Sequence, residues 1–276
     1  MKIGIVGLGL IGGSVAKSIR KNTLHQVYGI DRDVSIMAKA KMVGALDEEL
    51  TSSSIGEMDL LLLAIYPNDT FPYLQEMAPK IKKEALVMDL CGVKEKICRD
   101  AFPLAQEMGF YFIGGHPMAG IEFSGFDASK ESLFRNASMI LVPPPRIPIL
   151  KLEFLKTLFL SLGFSHIEIS TPEKHDKIIA LSSQLAHVVS SAYVQSPQAM
   201  QHKGYSAGSF HDMTRVAKLN EELWSQLFFS NYDNLLEEID GLILRLSEYR
   251  NVIKQRDEEG LKRLLSLGRQ RRVELE

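Results

Sequence analysis

The sequence predicts an α/β fold: a doubly wound sheet at the N-terminus, followed by an all-α C-terminal half. Three observations carry that expectation. Up to residue 142, short apolar runs alternate with helical stretches, the pattern of a parallel sheet covered by helices on both faces. A proline-rich stretch, VPPPRIPIL at 142–150, then interrupts the alternation. After Thr171 the chain reads as helix almost throughout.

The strand candidates are Lys2–Val6, Gln26–Ile30, Asp59–Ile65, Ala85–Met88, Tyr111–Ile113 and Ser138–Val142. They are short and rich in Ile, Leu and Val, as strands buried on both faces should be. Ile11–Lys21, Val34–Val43, Thr70–Ala78 and Val93–Met108 are the helices expected between them. The prolines place a domain boundary between residues 147 and 148, giving a sheet domain over 1–147 and a mainly helical one over 148–276. One further strand is expected at Ser165–Ser170. Thr171-Pro172 reads as an N-cap with proline at the first helical position. Ile178–Gln195 is apolar over much of its surface. Trp224–Arg250 reads as one amphipathic run, with Leu227, Leu235, Ile239, Leu242 and Leu246 on a stripe. That stripe needs a covering surface, from the first domain or from a second subunit.

Bulk composition excludes several classes of function. The 276 residues carry 32 Lys and Arg against 34 Asp and Glu, so there is no basic footprint for nucleic acid. The apolar run at Leu60–Tyr66 is far too short to span a bilayer. Two cysteines, Cys91 and Cys98, build no disulfide framework, and no Cys/His grouping has metal-ligand spacing. A reducing cytoplasm is the expected compartment, and no metal is expected.

The first strand-to-helix junction reads Gly7-Leu8-Gly9-Leu10-Ile11-Gly12. Gly7 permits a tight turn, Gly9 lets backbone approach a pyrophosphate, and Gly12 allows close helix–strand packing. The anion meets unpaired N–H groups at the start of the helix, around Leu10 and Ile11. The motif follows a strand and opens a helix, the context that makes it a dinucleotide fingerprint of Rossmann type. Asp31 ends the next strand, where an acid grips the adenosine ribose and repels a 2′-phosphate. NAD is therefore expected over NADP, with the adjacent Arg32 softening the preference.

Polar residues in apolar settings gather in four further places. Asp89-Leu90-Cys91-Gly92-Val93-Lys94 follows the fourth predicted strand, at a carboxyl end where open α/β sheets bind ligands. His116 follows the fifth, inside GGHPMAGIEFSG at 114–125, which its glycines and proline mark as a shaped loop. His187 lies in an apolar helix, and Asp212 and Arg215 lie in GSFHDMTRVAK. Read singly, each has an ordinary structural explanation. His175-Asp176 reads as a cap or an ion pair near a helix start.

Taken together, these stretches resemble the prephenate dehydrogenases, the oxidative enzymes of tyrosine biosynthesis, including their arogenate-using members. GGHPMAGIEFSG and LFRNASMILVP resemble the family's active-site loop and its continuation. HDKIIALSSQLAHVVSSAYV and GSFHDMTRVAKLNEELW resemble its two helical-domain motifs. The resemblance implies that His116 is the catalytic base at the substrate's ring 4-hydroxyl and that Arg215 binds the ring carboxylate. It implies further that His187 meets the substrate's side-chain end and that Asp212 belongs to the associated ionic network. Glu122 would be an acid at the site entrance, and Asp176 a support for the pocket. It also implies a small-molecule substrate held between the two domains, and a homodimer built through the helical domain.

Two departures stand out. Where the family often carries a serine whose hydroxyl assists the histidine, this chain has Gly92, preceded by Cys91, and a thiol is a poor donor. Ile121 stands before Glu122, where some members have a hydroxyl residue. The competing expectations are an arogenate dehydrogenase, another two-domain nicotinamide enzyme using a helical-domain lysine such as Lys218, and a dinucleotide-sensing regulator without catalysis.

Overall fold

The computed structural model describes residues 1–275. Eight strands form one sheet, in the order β3-β2-β1-β4-β5-β6-β7-β8. The strands are β1 (Lys2–Val6), β2 (Gln26–Ile30), β3 (Glu48–Glu49), β4 (Leu60–Leu63), β5 (Leu86–Asp89), β6 (Tyr111–Pro117), β7 (Ser138–Val142) and β8 (His166–Ile169). Helices α1 (Leu10–Asn22), α2 (Val34–Met42), α3 (Pro67–Met77) and α4 (Glu95–Met108) lie between the first six, with only a 3₁₀ turn at Ile55–Glu57 between β3 and β4. β3 is a two-residue edge strand that the sequence pattern did not mark. It is exposed and acidic, and its pairing to β2 carries no apolar signal.

The sheet is sandwiched as expected. Along β4, Leu60 and Leu62 join the core cluster with Ile3, Ile5 and Met88, while Leu61 and Leu63 join the other with Val87 and Phe112. All four leucines are buried, each contributing about 1.5–3 kcal/mol of transfer free energy.

Two features depart from the sequence reading. β7 runs antiparallel to β6, although the alternation implied a wholly parallel sheet. The β6–β7 connection holds only a short 3₁₀ turn at Phe126–Ala128, and without a crossover helix the chain returns antiparallel. The proline-rich stretch also opens into a helix that the pattern did not reveal, α5 (Ile149–Ser161), apolar on nearly all sides. It is the crossover that lets β8 pair parallel to β7, and its Leu155, Leu158 and Phe159 lie in the core cluster with Ile3.

Beyond β8 come α6 (Pro172–Ile179), a π-helical segment Ala180–Leu185, α7 (Ala186–Val194), α8 (Gly208–Thr214) and α9 (Glu221–Ser230). Thr171 caps α6 by accepting from the Lys174 N–H, with Pro172 in the first turn. The amphipathic run at 224–250 is not one helix. It breaks at Asn231, a buried side chain whose Nδ2 donates to the Asp176 carbonyl and to Gln184 Oε1. Leu227 therefore lies on a different helix from Leu235–Leu246.

Met1–Asn231 form one compact unit, and Tyr232–Glu276 a second. The second holds α10 (Tyr232–Gln255) and α11 (Glu258–Glu274), which pack on each other. Leu236, Ile243, Leu244, Leu246 and Ile253 on α10 are more than half exposed. Among the described residues, no helix is long and apolar enough to cross a membrane.

Candidate active site

The glycine motif sits between β1 and α1 as expected, and its glycines differ in what they do. Gly7 has φ +84°, and a Cβ there would lie 2.5 Å from the Ala64 carbonyl oxygen. A Cβ on Gly12 would lie 1.9 Å from the Gly7 carbonyl oxygen. Both positions are closed by the protein's own backbone. Gly9 has nothing within 4 Å of a built Cβ. It is the N-cap of α1 and offers no side-chain cap, so the first-turn N–H groups at Leu10 and Ile11 lack a helical acceptor. An open face above bare amides suits an anion, and the site fits a dinucleotide pyrophosphate.

Asp31 Oδ2 accepts from the Leu8 N–H at 2.7 Å, and Oδ1 accepts from the Asp33 N–H at 2.9 Å. The carboxylate thus ties the glycine turn to the end of β2. Arg32 beside it is exposed.

His116 is not on a loop. Gly114–Pro117 extend β6 past its pairing with β5, in antiparallel register with Val142–Met139 of β7. The glycines serve packing rather than turning. A Cβ on Gly115 would lie 2.6 Å from the Asp89 carbonyl oxygen, and one on Gly114 would lie 2.8 Å from both Cys98 Sγ and Lys94 Cδ. Only from Met118 onward does the stretch become irregular.

Beneath His116 lies a buried polar knot. Asp89 closes β5, and its carboxylate accepts from the Cys91 N–H (3.0 Å), the Gly115 N–H (3.3 Å) and the Lys94 ammonium. Neither Asp89 nor Lys94 has exposed side-chain surface. Burial works against the Lys94 charge, but Asp89 prevails and holds its pKa above the ordinary lysine value.

The His116 ring is fixed from one side. Its Nδ1 lies 2.8 Å from His175 Nε2 on α6. Its Nε2 points the other way, 3.7 Å from where a Cβ on Gly92 would stand. The position at which the resembled family often carries serine therefore faces the free nitrogen of His116, and a Cβ there would also lie 3.3 Å from Leu227 Cδ2. Cys91 does not substitute for the hydroxyl: its thiol contacts Thr70 Oγ1 (3.4 Å) and the Ile65 carbonyl (3.5 Å). Burial and the neighbouring Asp89 push the Cys91 thiol up to about 12. Burial, then His175 and Lys94, hold His116 well below the usual histidine value, so the ring is a neutral base near pH 7.

His187 Nδ1 lies 2.8 Å from the Ser183 carbonyl and must donate to it, so the neutral ring presents Nε2 as an acceptor. The ring packs against Trp224 with centroids 3.9 Å apart. Burial lowers its pKa, and Arg215 adds to the effect, placing the guanidinium nearby. Arg215 is exposed and, among the described residues, has no carboxylate partner. The π-helical segment directly before His187 belongs to a rare class of helix distortion that recurs at functional sites.

Glu122 and Asp212 are both exposed, and no contact among the described residues joins either to His116 or His187. Next to Glu122, Phe123 lies under the Lys218 ammonium at 5.5 Å. Sequence reasoning missed His175. The His-Asp pair was visible, but its partner lies 59 positions away, and only the register of β5 to β8 brings them together. Among the described residues, no group of His, Cys, Asp or Glu is placed to hold a metal ion.

The chain is similar to known proteins over most of its length. Residues 15–168 match the sequence model of the prephenate dehydrogenase nucleotide-binding domain, and residues 171–267 match that of the prephenate dehydrogenase dimerization domain. A prephenate dehydrogenase of Bacillus subtilis is 32% identical over 93% of this chain and 71% of its own length. The crystal structure of a Synechocystis arogenate dehydrogenase superposes with a TM-score of 0.83 at 30% identity, covering 100% of both chains. That of an Aquifex aeolicus prephenate dehydrogenase, in complex with hydroxyphenyl propionate and NAD+, gives 0.85 at 29% identity, covering 100% of this chain and 98% of the other.

Proposed function

Because this chain belongs to the prephenate dehydrogenase family, we propose that it catalyses the NAD-dependent oxidative decarboxylation of prephenate to 4-hydroxyphenylpyruvate, in the cytoplasm. The observation that carries the reading is His116, a neutral imidazole whose Nε2 faces Gly92, beyond the carboxyl end of β5.

The substrate is a cyclohexadiene bearing a ring carboxylate and a 4-hydroxyl. His116 Nε2 accepts the hydroxyl proton as C4 loses a hydride. The electron pair of the ring–carboxylate bond then closes the aromatic ring and carbon dioxide leaves, and the proton held on His116 Nε2 returns to the phenolate oxygen to give the 4-hydroxyl of the product. Bound NAD supplies the hydride acceptor. Its pyrophosphate would rest on Gly7, Gly9, Leu10, Ile11 and Gly12, and its ribose near Asp31 and Arg32. The unpaired Arg215 suits the ring carboxylate, since a guanidinium donates two parallel hydrogen bonds to it. His187 meets the side-chain end, with Glu122 and Asp212 at the rim and Gly92 lining the hydroxyl pocket. Positioned acid–base help of this kind is worth about 10²–10⁴-fold.

The exposed apolar face of α10, within the stretch that matches the dimerization domain, supports a homodimer. The likeness to an arogenate dehydrogenase over the whole chain favours a second reading, in which the amino counterpart of prephenate is oxidised to tyrosine. Parallel kcat/KM measurements for prephenate and arogenate, each with NAD and NADP, decide between them. His116→Asn should lower kcat by orders of magnitude while NAD still binds; near-normal turnover would remove His116 from the reaction.

A further inference from the structure

We propose that His175 and Asp176 are positioning residues that lock His116 in the tautomer with hydrogen on Nδ1, leaving Nε2 bare for the substrate hydroxyl. This rests on the reading of His116 as the base and supplies what Gly92 withholds, a group that orients the ring.

Asp176 is the fixed end of a chain of hydrogen bonds that leads to His116. Its Oδ1 accepts from the Lys94 N–H at 2.7 Å and its Oδ2 from the Glu95 N–H at 2.8 Å, both at the start of α4. Its backbone carbonyl accepts from Asn231 Nδ2 at 2.8 Å. The side chain is fully buried. The start of α4 thus holds both carboxylate oxygens, its positive end favouring the charge there, and Asn231 holds the backbone.

His175 Nδ1 lies 2.6 Å from the same Oδ1. A carboxylate receiving backbone N–H groups acts as an acceptor, so His175 Nδ1 carries the hydrogen. In a neutral His175 the other nitrogen, Nε2, then has only a lone pair. Burial, the leading influence, lowers the His175 pKa despite Asp176, which favours that neutral form. His175 Nε2 must therefore accept, and His116 Nδ1–H donates to it at 2.8 Å. The remaining nitrogen of His116 is left bare on the Gly92 side.

Each hydrogen bond dictates the next, and the opposite tautomer of His116 would need His175 doubly protonated in a buried site. When Nε2 takes the substrate proton, the resulting charge on His116 is met through His175 by the Asp176 carboxylate. An acid holding a catalytic histidine in one tautomer is a recurring device of enzymes, and losing that control can cost up to about 10⁴-fold.

The test uses the full chain and two readouts. In ¹⁵N-labelled protein, long-range proton–nitrogen spectra, assigned with His116→Asn, should show His116 protonated at Nδ1 alone. In His175→Phe the pattern should move to mixed tautomers. kcat for prephenate oxidation should fall about 10- to 10³-fold, while KM for prephenate and for NAD changes less than about threefold. His175→Gln, whose amide oxygen can accept from His116 Nδ1–H, should restore most of the rate. An Nε2-protonated His116 in the unmutated enzyme overturns the proposal, whether or not any variant folds. So does an unchanged tautomer in His175→Phe. If the tautomer shifts but neither His175→Phe nor His116→Asn slows turnover, the orienting chain stands and the catalytic reading of His116 falls.

Discussion

Lys94 and Asp89 form an ion pair in which neither side chain has any exposed surface, directly beneath His116. The backbone of the same lysine holds Asp176. A buried pair gains little over apolar packing when intact, yet breaking it strands an uncompensated charge. Lys94→Met should therefore lower unfolding free energy by about 3–5 kcal/mol, read as a shift in the urea midpoint. Asp89→Asn added to Lys94→Met keeps one of the two side-chain acceptors that Cys91 and Gly115 use and removes the stranded charge. The double variant should be more stable than Lys94→Met alone. Additive losses would show that the two side chains do not compensate each other.

The glycine loop makes a sharper prediction about the cofactor. A methyl on Gly12 would collide with the Gly7 backbone at 1.9 Å, whereas one on Gly9 meets nothing. Gly12→Ala should lower the melting temperature or fail to fold. Gly9→Ala should melt like the unmutated protein but lose most of its NAD affinity in calorimetry, because its methyl stands where the pyrophosphate approaches. Unchanged affinity in Gly9→Ala would move the cofactor elsewhere.

Much of the sheet is legible because strands buried on both faces advertise themselves. Lys2–Val6, Gln26–Ile30 and Ser138–Val142 are read to the residue. The glycines around His116 mislead. In isolation Gly114 and Gly115 suggest a turn, but they are small so that β6 can close on Asp89, Lys94 and Cys98. α5 hides because an all-round apolar helix has no periodicity to see. His116 and Gly92 are found by local motif. His175 is not, because its role depends on pairing register across four strands. The end of β8 comes level with the end of β5, so α6 begins beside the first turn of α4.

Thiol reactivity separates Cys91 from a catalytic reading. Burial and Asp89 push its thiol up to about 12, and burial pushes Cys98 further still. A thiolate is the reactive form, so both should resist a disulfide reagent such as DTNB in the folded protein and react together on unfolding. Rapid single-site labelling under native conditions would contradict the geometry at Thr70 and Ile65.

Stability against pH follows from the same histidines. Burial holds His116 well below, and His175 and His187 below, the ordinary histidine value of about 6.5. The unfolded chain takes up their protons as pH falls through that value, while the folded chain resists until lower pH. Between those limits the unfolded state binds more protons, so stability is full above about pH 6.5 and is lost progressively below it. His175, almost wholly buried, contributes a slope of up to about 1.4 kcal/mol per pH unit in that window. Melting temperatures recorded from pH 8 to pH 5 should be level at first and then decline. The decline should be shallower in His175→Gln, which has no proton to bind. A flat profile down to pH 5, or one equally steep in His175→Gln, would show that the buried imidazole is not what resists protonation.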